Sequence, residues 1–126
     1  MKNYLYLLCL AIMAVVIVGC SSSDNLHFSG ASESWEGDYR VNIHNTDKEN
    51  GEFIFKYKKD DKEINFKDFS IMINDDESGI KQKSLTDRTV KFRSSCEGCH
   101  VAQSDDQLKV IVKWDGNEET FYLENK

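Results

Sequence analysis

Apolar and polar residues alternate along much of the chain after position 34, and this alternation limits the fold more than any other feature of the sequence. In the clearest run, Trp35, Tyr39, Val41 and Ile43 occupy odd positions, while polar residues occupy the even ones. Successive side chains of a β-strand point to opposite faces of its sheet, so a period of two is typical of strands with one buried face. The run therefore predicts a strand that packs one face on a core.

The same period recurs in further short runs that are separated by turn-forming residues. The apolar residues at alternate positions of these runs are Phe53, Phe55, Tyr57, Ile64, Phe66, Phe69, Ile71, Ile73, Val90, Phe92, Leu108, Val110, Val112, Trp114, Phe121 and Leu123. The pair Asp60-Asp61 predicts a turn into a strand from Lys62, residues 74–79 predict another turn, and Asp115-Gly116 is a strong hairpin signal. Short strands at spacings of about 8 to 12 residues predict an all-β fold.

We expect about seven strands to form a small antiparallel β-sandwich, immunoglobulin-like in general architecture, over residues 35–126. The two Trp with several Phe and Ile supply one core for a domain of about 90 residues. A small barrel is the alternative, but barrels that close around a ligand cavity use more chain. The sequence contains no Pro and no internal repeat, so we predict a single domain.

The N-terminus carries an export signal. A basic segment, 1–3, precedes an apolar run over 4–18, and Gly19-Cys20 and three serines follow. This order is typical of a secretory signal peptide, and the junction resembles the lipobox of lipoprotein precursors. We predict a lipoprotein signal peptide over residues 1–19, with ordinary secretion as one alternative. An uncleaved membrane helix is the other, but fifteen or sixteen residues reach roughly 24 Å, short of a hydrocarbon core of about 30 Å.

The resemblance to lipoproteins implies that Cys20 becomes the first mature residue and carries lipid. Two or three acyl chains anchor a protein stably, so the chain is expected on the extracytoplasmic face of the cell membrane. Residues 20–34 are rich in Ser, Gly, Asn and acidic residues, and this composition predicts a flexible tether.

The charge of the chain argues against nucleic acid as a partner. The sequence holds 16 Lys and Arg against 22 Asp and Glu, for a net charge of -6 at pH 7. Such a chain is repelled by phosphodiester backbones, and no stripe of basic and aromatic residues offsets the repulsion. We therefore predict no nucleic-acid binding.

One short motif is compatible with redox or metal chemistry. Cys96, Cys99 and His100 have the Cys-x-x-Cys-His spacing that attaches c-type haem. Thiol–disulfide exchange and a transition-metal site are two other uses of these side chains. The motif lies in a predicted loop between strands, Glu97 disfavours a thiolate beside it, and no second cluster supplies a fourth metal ligand.

Export favours a simpler use of the same cysteines. Cys9 leaves with the signal peptide and Cys20 carries lipid, so only Cys96 and Cys99 remain, in an oxidising exterior. We predict a structural disulfide between these two residues. A thiol-redox or c-type haem protein that uses Cys96, Cys99 and His100 remains the alternative.

No other group of residues predicts catalysis. His27 lies in the predicted tether and His44 on the polar face of the first predicted strand, and neither has the Ser and acid of a triad nearby. The acidic runs 75–77 and 105–106 fall in predicted turns and lack the spaced ligands and Gly of a calcium loop. We predict that the protein is not an enzyme and uses no cofactor or metal.

The whole chain resembles the small lipoproteins of Bacillus-like Gram-positive bacteria. It shares a lipobox, a Ser-rich tether, the strand Trp-Glu-Gly-Asp-Tyr at 35–39, the Cys-x-x-Cys loop at 96–99 and a closing hairpin at 114–117. The resemblance implies an extracytoplasmic position and supplies no catalytic residues. We expect a membrane-anchored, non-enzymatic binding module that contacts a cell-surface protein through a sheet edge or a loop.

Overall fold

Eight β-strands make up most of the described chain. The structure, a computed structural model, describes residues 3–4, 24–60 and 63–125, with the backbone alone for 76–78. The strands are β1 (Asp24–Ala31), β2 (Trp35–Asn45), β3 (Lys48–Tyr57), β4 (Phe66–Ile73), β5 (Asp76–Leu85), β6 (Thr89–Glu97), β7 (Gln107–Trp114) and β8 (Asn117–Asn125). Neighbouring strands are antiparallel in the order β5-β4-β7-β8-β1-β2-β3-β6. The prediction of an all-β antiparallel fold is confirmed.

The arrangement differs from the expected sandwich of about seven strands. The described strands belong to one continuous sheet rather than to two packed sheets, and they number eight. The difference arises because β1 and β5 carry too few apolar residues to stand out in the sequence, and because alternation does not say which strands become neighbours.

Strand β1 lies inside the segment 20–34 that composition predicts to be a flexible tether, and that prediction is wrong for residues 24–31. β1 pairs with β2 along its whole length, and Phe28 is fully buried. Ladder hydrogen bonds to β2 and one buried ring hold a strand whose other side chains are mostly small or polar. Cys20, the predicted lipidation site, lies outside the described residues, as does most of the predicted signal peptide.

One hairpin turn is as the sequence predicts, and another is shorter than predicted. Asp115 and Gly116 both have positive φ, of 49° and 79°, and form the predicted turn between β7 and β8. Asn74 and Asp75 form a similar turn with φ of 56° and 57°, although the sequence predicts a longer turn over 74–79. Two consecutive left-handed residues match the twist of the flanking strands, so β5 starts directly after this pair.

The prediction of a separate strand from Lys62 to Phe66 is wrong for the described residues of that segment, of which only Phe66 lies in a strand. Lys62 lies outside the described residues, residues 63–65 are not in a strand, and β4 begins at Phe66. Ile64 nevertheless packs against the core, which explains its place in the apolar pattern.

The sheet curls until its two halves face each other across the core. β2 and β4 are four positions apart in the strand order, so a flat sheet would separate them by about 19 Å. However, the ring of Trp35 on β2 lies 5.6 Å from that of Phe69 on β4 and 5.7 Å from that of Trp114 on β7. The sheet is therefore nearly barrel-shaped, with a single core inside.

The residues that alternation places on the inner face form this core. All of the predicted inward residues are buried except Ile43, Ile64 and Phe92, which pack against the buried set. We call the end of the sheet that holds Trp35 and Trp114 the tryptophan end. The opposite end, which the segment 98–106 crosses between β6 and β7, is the cysteine end.

Close approach of two strands requires a glycine in β1. A Cβ atom at Gly30 would overlap the carbonyl oxygen of Tyr122 on β8. Gly30 follows Ser29, the last β1 residue paired with β8, so this close approach lies where β1 leaves that ladder. A side chain at this position would force the two central strands of the sheet apart.

We predict that Gly30→Ala lowers the free energy of unfolding by about 1–3 kcal/mol, the usual cost of overpacking. Urea unfolding followed by tryptophan fluorescence measures the change. Ser29→Ala, one residue earlier in the same strand, is the matched control and should change stability by less than about 0.5 kcal/mol. Equal stability of the two variants would show that β1 and β8 do not need this close approach.

A carboxylate fastens the β1–β2 connection at the tryptophan end. The Glu119 side chain on β8 accepts hydrogen bonds from the hydroxyls of Ser32 and Ser34, each at 2.6 Å, and from the Ser34 N–H at 2.9 Å. Burial raises the pKa of Glu119, but these hydrogen bonds and the charge of Lys59 outweigh it and hold the pKa below its usual value of 4.5. The folded state therefore favours the ionised carboxylate.

Because the folded pKa lies below the unfolded one, this interaction stabilises the protein above about pH 4.5 and is lost as the pH falls through the folded pKa. We predict that Glu119→Gln lowers the free energy of unfolding at pH 7 by about 1 kcal/mol. The variant should also show a smaller decrease in this free energy in acid than the wild type does. Urea unfolding between pH 7 and 3 measures both effects. Glu118→Gln is the control, and an identical pH profile for Glu119→Gln and wild type would contradict the assignment.

Candidate functional site

A cavity of about 300 Å³ opens at the cysteine end of the curled sheet. Its apolar wall is formed by Phe53, Ile73 and Leu108, from three different strands. The polar part of the wall includes Tyr39 and Glu49 from β2 and β3. An apolar wall with a few converging polar groups is the usual composition of a ligand pocket, so this cavity is the candidate site.

The segment 98–106 covers part of this end and is tied to the β2–β3 hairpin. Gly98 starts it with a φ of +70°, and the Cys99 N–H donates to the carbonyl oxygen of Asp47 at 3.3 Å. The Ala102 N–H donates to the carboxylate of Glu49 at 2.7 Å. The segment is therefore held by hydrogen bonds at two places rather than lying free over the opening.

Cys96 and Cys99 lie together at the rim of the cavity. Their Cα atoms are 6.1 Å apart and their sulfur atoms are within bonding distance, and a Cα separation between about 4.4 and 6.8 Å is usual for disulfides. The geometry is consistent with the predicted disulfide. Because Cys96 lies in β6, one residue before its end, and the Cys99 N–H is hydrogen-bonded to Asp47, the disulfide fixes the first turn of the segment 98–106.

A partly buried hydroxyl pair lies on the β2–β6 side of the cavity. The Tyr39 hydroxyl is 3.0 Å from the Ser94 hydroxyl, and the Tyr39 ring stacks on Phe53 with centroids 3.9 Å apart. Burial raises the pKa of Tyr39, the hydrogen bond with Ser94 lowers it, the charge of Glu49 raises it, and the net direction is upward. The phenol therefore stays protonated at neutral pH and is suited to hydrogen bonding rather than to acting as a base.

The structure brings together the three residues of the Cys-x-x-Cys-His motif. Cys96, Cys99 and His100 all border the same cavity, and His100 is exposed at its mouth. The other two histidines bond elsewhere, since His27 lies 2.7 Å from an Asp38 oxygen and His44 lies 2.7 Å from the Asn50 side-chain oxygen. The haem and redox alternatives remain predictions that a mass measurement separates from the disulfide.

Sequence reasoning did not identify the polar part of the wall. Ser94 carried a usable signal, because it continues the inward register of Val90 and Phe92 on β6 and is the first polar residue in that register. Glu49 and Ala102 carried none, since their contact joins residues that are 53 positions apart.

Two further observations limit the kinds of site in the described part of the chain. Among the side chains that the structure describes, which exclude those of 76–78, no three His, Cys, Asp or Glu cluster in a way that would hold a metal ion. Among the same residues, no helix has both the length and the apolar character needed to cross a bilayer.

Searches of protein-family models, of curated proteins and of solved structures found no match to this chain.

We predict that Cys96→Ser with Cys99→Ser lowers the free energy of unfolding by about 2 kcal/mol, the entropic effect of a very short disulfide loop, and leaves the far-ultraviolet circular dichroism unchanged. Urea unfolding of the double variant and of wild type, each with and without reductant, measures the effect. The intact mass of the wild type should be two hydrogens below that of the dithiol form. A haem-sized adduct with a Soret band, or two alkylatable thiols, would contradict the disulfide.

Proposed function

We propose that the protein is a membrane-anchored extracytoplasmic lipoprotein that acts as a non-enzymatic binding module for a cell-surface protein. The observation that carries this proposal is the position of the cavity, which opens at the same end of the sheet as the start of β1. Asp24 pairs with Ile43 and borders the β2–β3 turn, and Asp47 in that turn accepts the hydrogen bond from Cys99.

The short separation of Cys20 from Asp24 supports a site that faces the membrane. Four steps of the chain span at most about 14 Å even when fully extended. A lipid on Cys20 would therefore keep the cysteine end close to the bilayer surface. A flexible tether over residues 20–34 would let this end lie much further away. The cavity mouth is then within reach of groups that membrane-bound partners present.

The charge of the cysteine end favours a protein over an anionic lipid headgroup. Carboxylates of Asp24, Asp47 and Asp106 surround this end together with Glu49, and anionic headgroups are repelled by such a surface. An apolar side chain on a partner loop fits the wall formed by Phe53 and its neighbours. The Tyr39–Ser94 hydroxyl pair then supplies a hydrogen bond.

The alternative function is a thiol-redox or c-type haem protein. The observation in its favour is that Cys96, Cys99 and His100 share one cavity rim. It predicts a cofactor adduct or reactive thiols, whereas the binding module requires neither.

We predict that a photo-crosslinking residue at His100, in cells that make the protein, captures one repeated partner of defined mass. The same residue at Lys113, which is exposed on the outer face of β7, is the control and should capture much less. Cys20→Ser should release the protein from the membrane fraction and reduce capture at His100. Equal capture at the two positions, or none at either, would exclude the membrane-facing cavity as the binding site.

A further inference from the structure

Strand β6 forms a free edge of the sheet. It is last in the order of the described strands, among which β3 is its one partner. Within the described residues, no backbone hydrogen bond joins the outer side of β6 to another element. Nine residues of edge strand thus present N–H and C=O groups that a further strand can pair with.

The edge is positively charged although the chain is acidic. β6 itself carries Lys91 and Arg93 against Glu97, in a chain whose net charge is -6, and Glu97 lies 3.2 Å from the Lys48 ammonium on β3. Lys91 and Arg93 are exposed on the outer face of β6, and neither forms an ion pair with any described side chain. Glu52 lies opposite Arg93 in the ladder with β3, but it also lies opposite Arg40 on β2. The cross-strand row of Arg40, Glu52 and Arg93 therefore has a net positive charge.

We propose that the free edge of β6 binds an acidic peptide in an extended conformation, as a ninth strand of the sheet. Lys91 and Arg93 are two positions apart and point to the same face, so carboxylates at alternate peptide positions lie beside both. The peptide residues between these carboxylates point to the inner side of the sheet, next to Val90 and Phe92, where apolar side chains fit. The preferred ligand therefore alternates acidic and apolar residues.

The free backbone favours a peptide over other polyanions. An edge strand offers donors and acceptors in turn, and an extended peptide supplies the complement of both. A phosphodiester polymer accepts hydrogen bonds but donates none along its backbone. A second copy of β6 is also a poor partner, since Lys91 and Arg93 would then lie near like charges.

Lys91 and Arg93 do not line the cavity, although Ser94, Ser95 and Cys96 at the end of the same strand do. Binding of a peptide beside Lys91 and Arg93 requires neither the lipid anchor nor the disulfide. This surface therefore adds a second interaction site to the proposed function. Failure of peptide binding at β6 leaves the crosslinking result at His100 unaffected, and the two proposals are tested independently.

The test uses the full chain, as isolated from producing cells in neutral detergent, and a fluorescent peptide of about eight residues that alternates glutamate with valine. Fluorescence anisotropy at low and at physiological salt measures binding. Two peptides are controls: one has lysine in place of glutamate, and one has N-methyl groups that block strand pairing. We expect the glutamate peptide to bind at least about tenfold more tightly than either control, and more weakly as salt is raised.

Charge reversal at the edge identifies the site. Lys91→Glu with Arg93→Glu should weaken binding of the glutamate peptide about tenfold or more, since two favourable cross-strand pairs become repulsive. Lys67→Glu with Lys113→Glu makes the same change in net charge on β4 and β7 and should leave affinity within about threefold. Hydrogen exchange should show that the peptide protects amides of residues 89–97 and not those of β7.

Three results would overturn the proposal. The first is equal binding of the N-methylated peptide or of polyphosphate, which would show attraction by charge alone. The second is equal weakening by the two double variants. The third is a Lys91→Glu, Arg93→Glu variant that self-associates but keeps its affinity for the glutamate peptide, which would show that the charges serve only to keep edges apart.

Discussion

The packing of Trp35 against Phe69 and Trp114 is the interaction on which the rest of the structure depends. It joins β2 to β4 and β7, which would be about 19 Å and about 14 Å from β2 in a flat sheet, and it can form only when the sheet curls. Trp35 is fully buried, so its burial and its ring contacts favour the curl directly. In the curled sheet β5 and β6 are the edge strands. The cysteine end, opposite Trp35 and Trp114, is partly covered by the segment 98–106.

The two ends of the curled sheet are closed in different ways, so that one end is filled by side chains and the other keeps a cavity. At the tryptophan end, aromatic rings fill the interior and Glu119 fastens the β1–β2 connection. At the cysteine end, a nine-residue segment is held by the disulfide and by the contact between Ala102 and Glu49. A covalent ring and hydrogen bonds fix this segment without filling the space beneath it, so a cavity remains.

Alternation predicted the inner face well because burial of alternate side chains is a local property of a strand. It recovered β2, β3, β7 and β8, and the turn at Asp115-Gly116. It missed β1 and β5, whose stability comes from ladder partners rather than from their own apolar residues, and it did not give the strand order, which depends on contacts such as Trp35 with Trp114.

At the site, Cys96, Cys99 and His100 were found because they are adjacent in sequence. Glu49 was not, because its partner Ala102 is distant.

Strand β1 links the fold to the proposed position of the protein on the membrane. Had residues 24–31 been a tether, a lipidated Cys20 would leave the domain free to turn and no face would have a fixed neighbour. Because β1 is paired to β2 from Asp24 onward, the proposed anchor on Cys20 and the cavity would share one end, whereas Lys91 and Arg93 lie nearer the tryptophan end. Under that proposal the acidic end would face the bilayer, and Lys91 and Arg93 would lie further out, where a soluble acidic peptide would reach them without approaching the lipid.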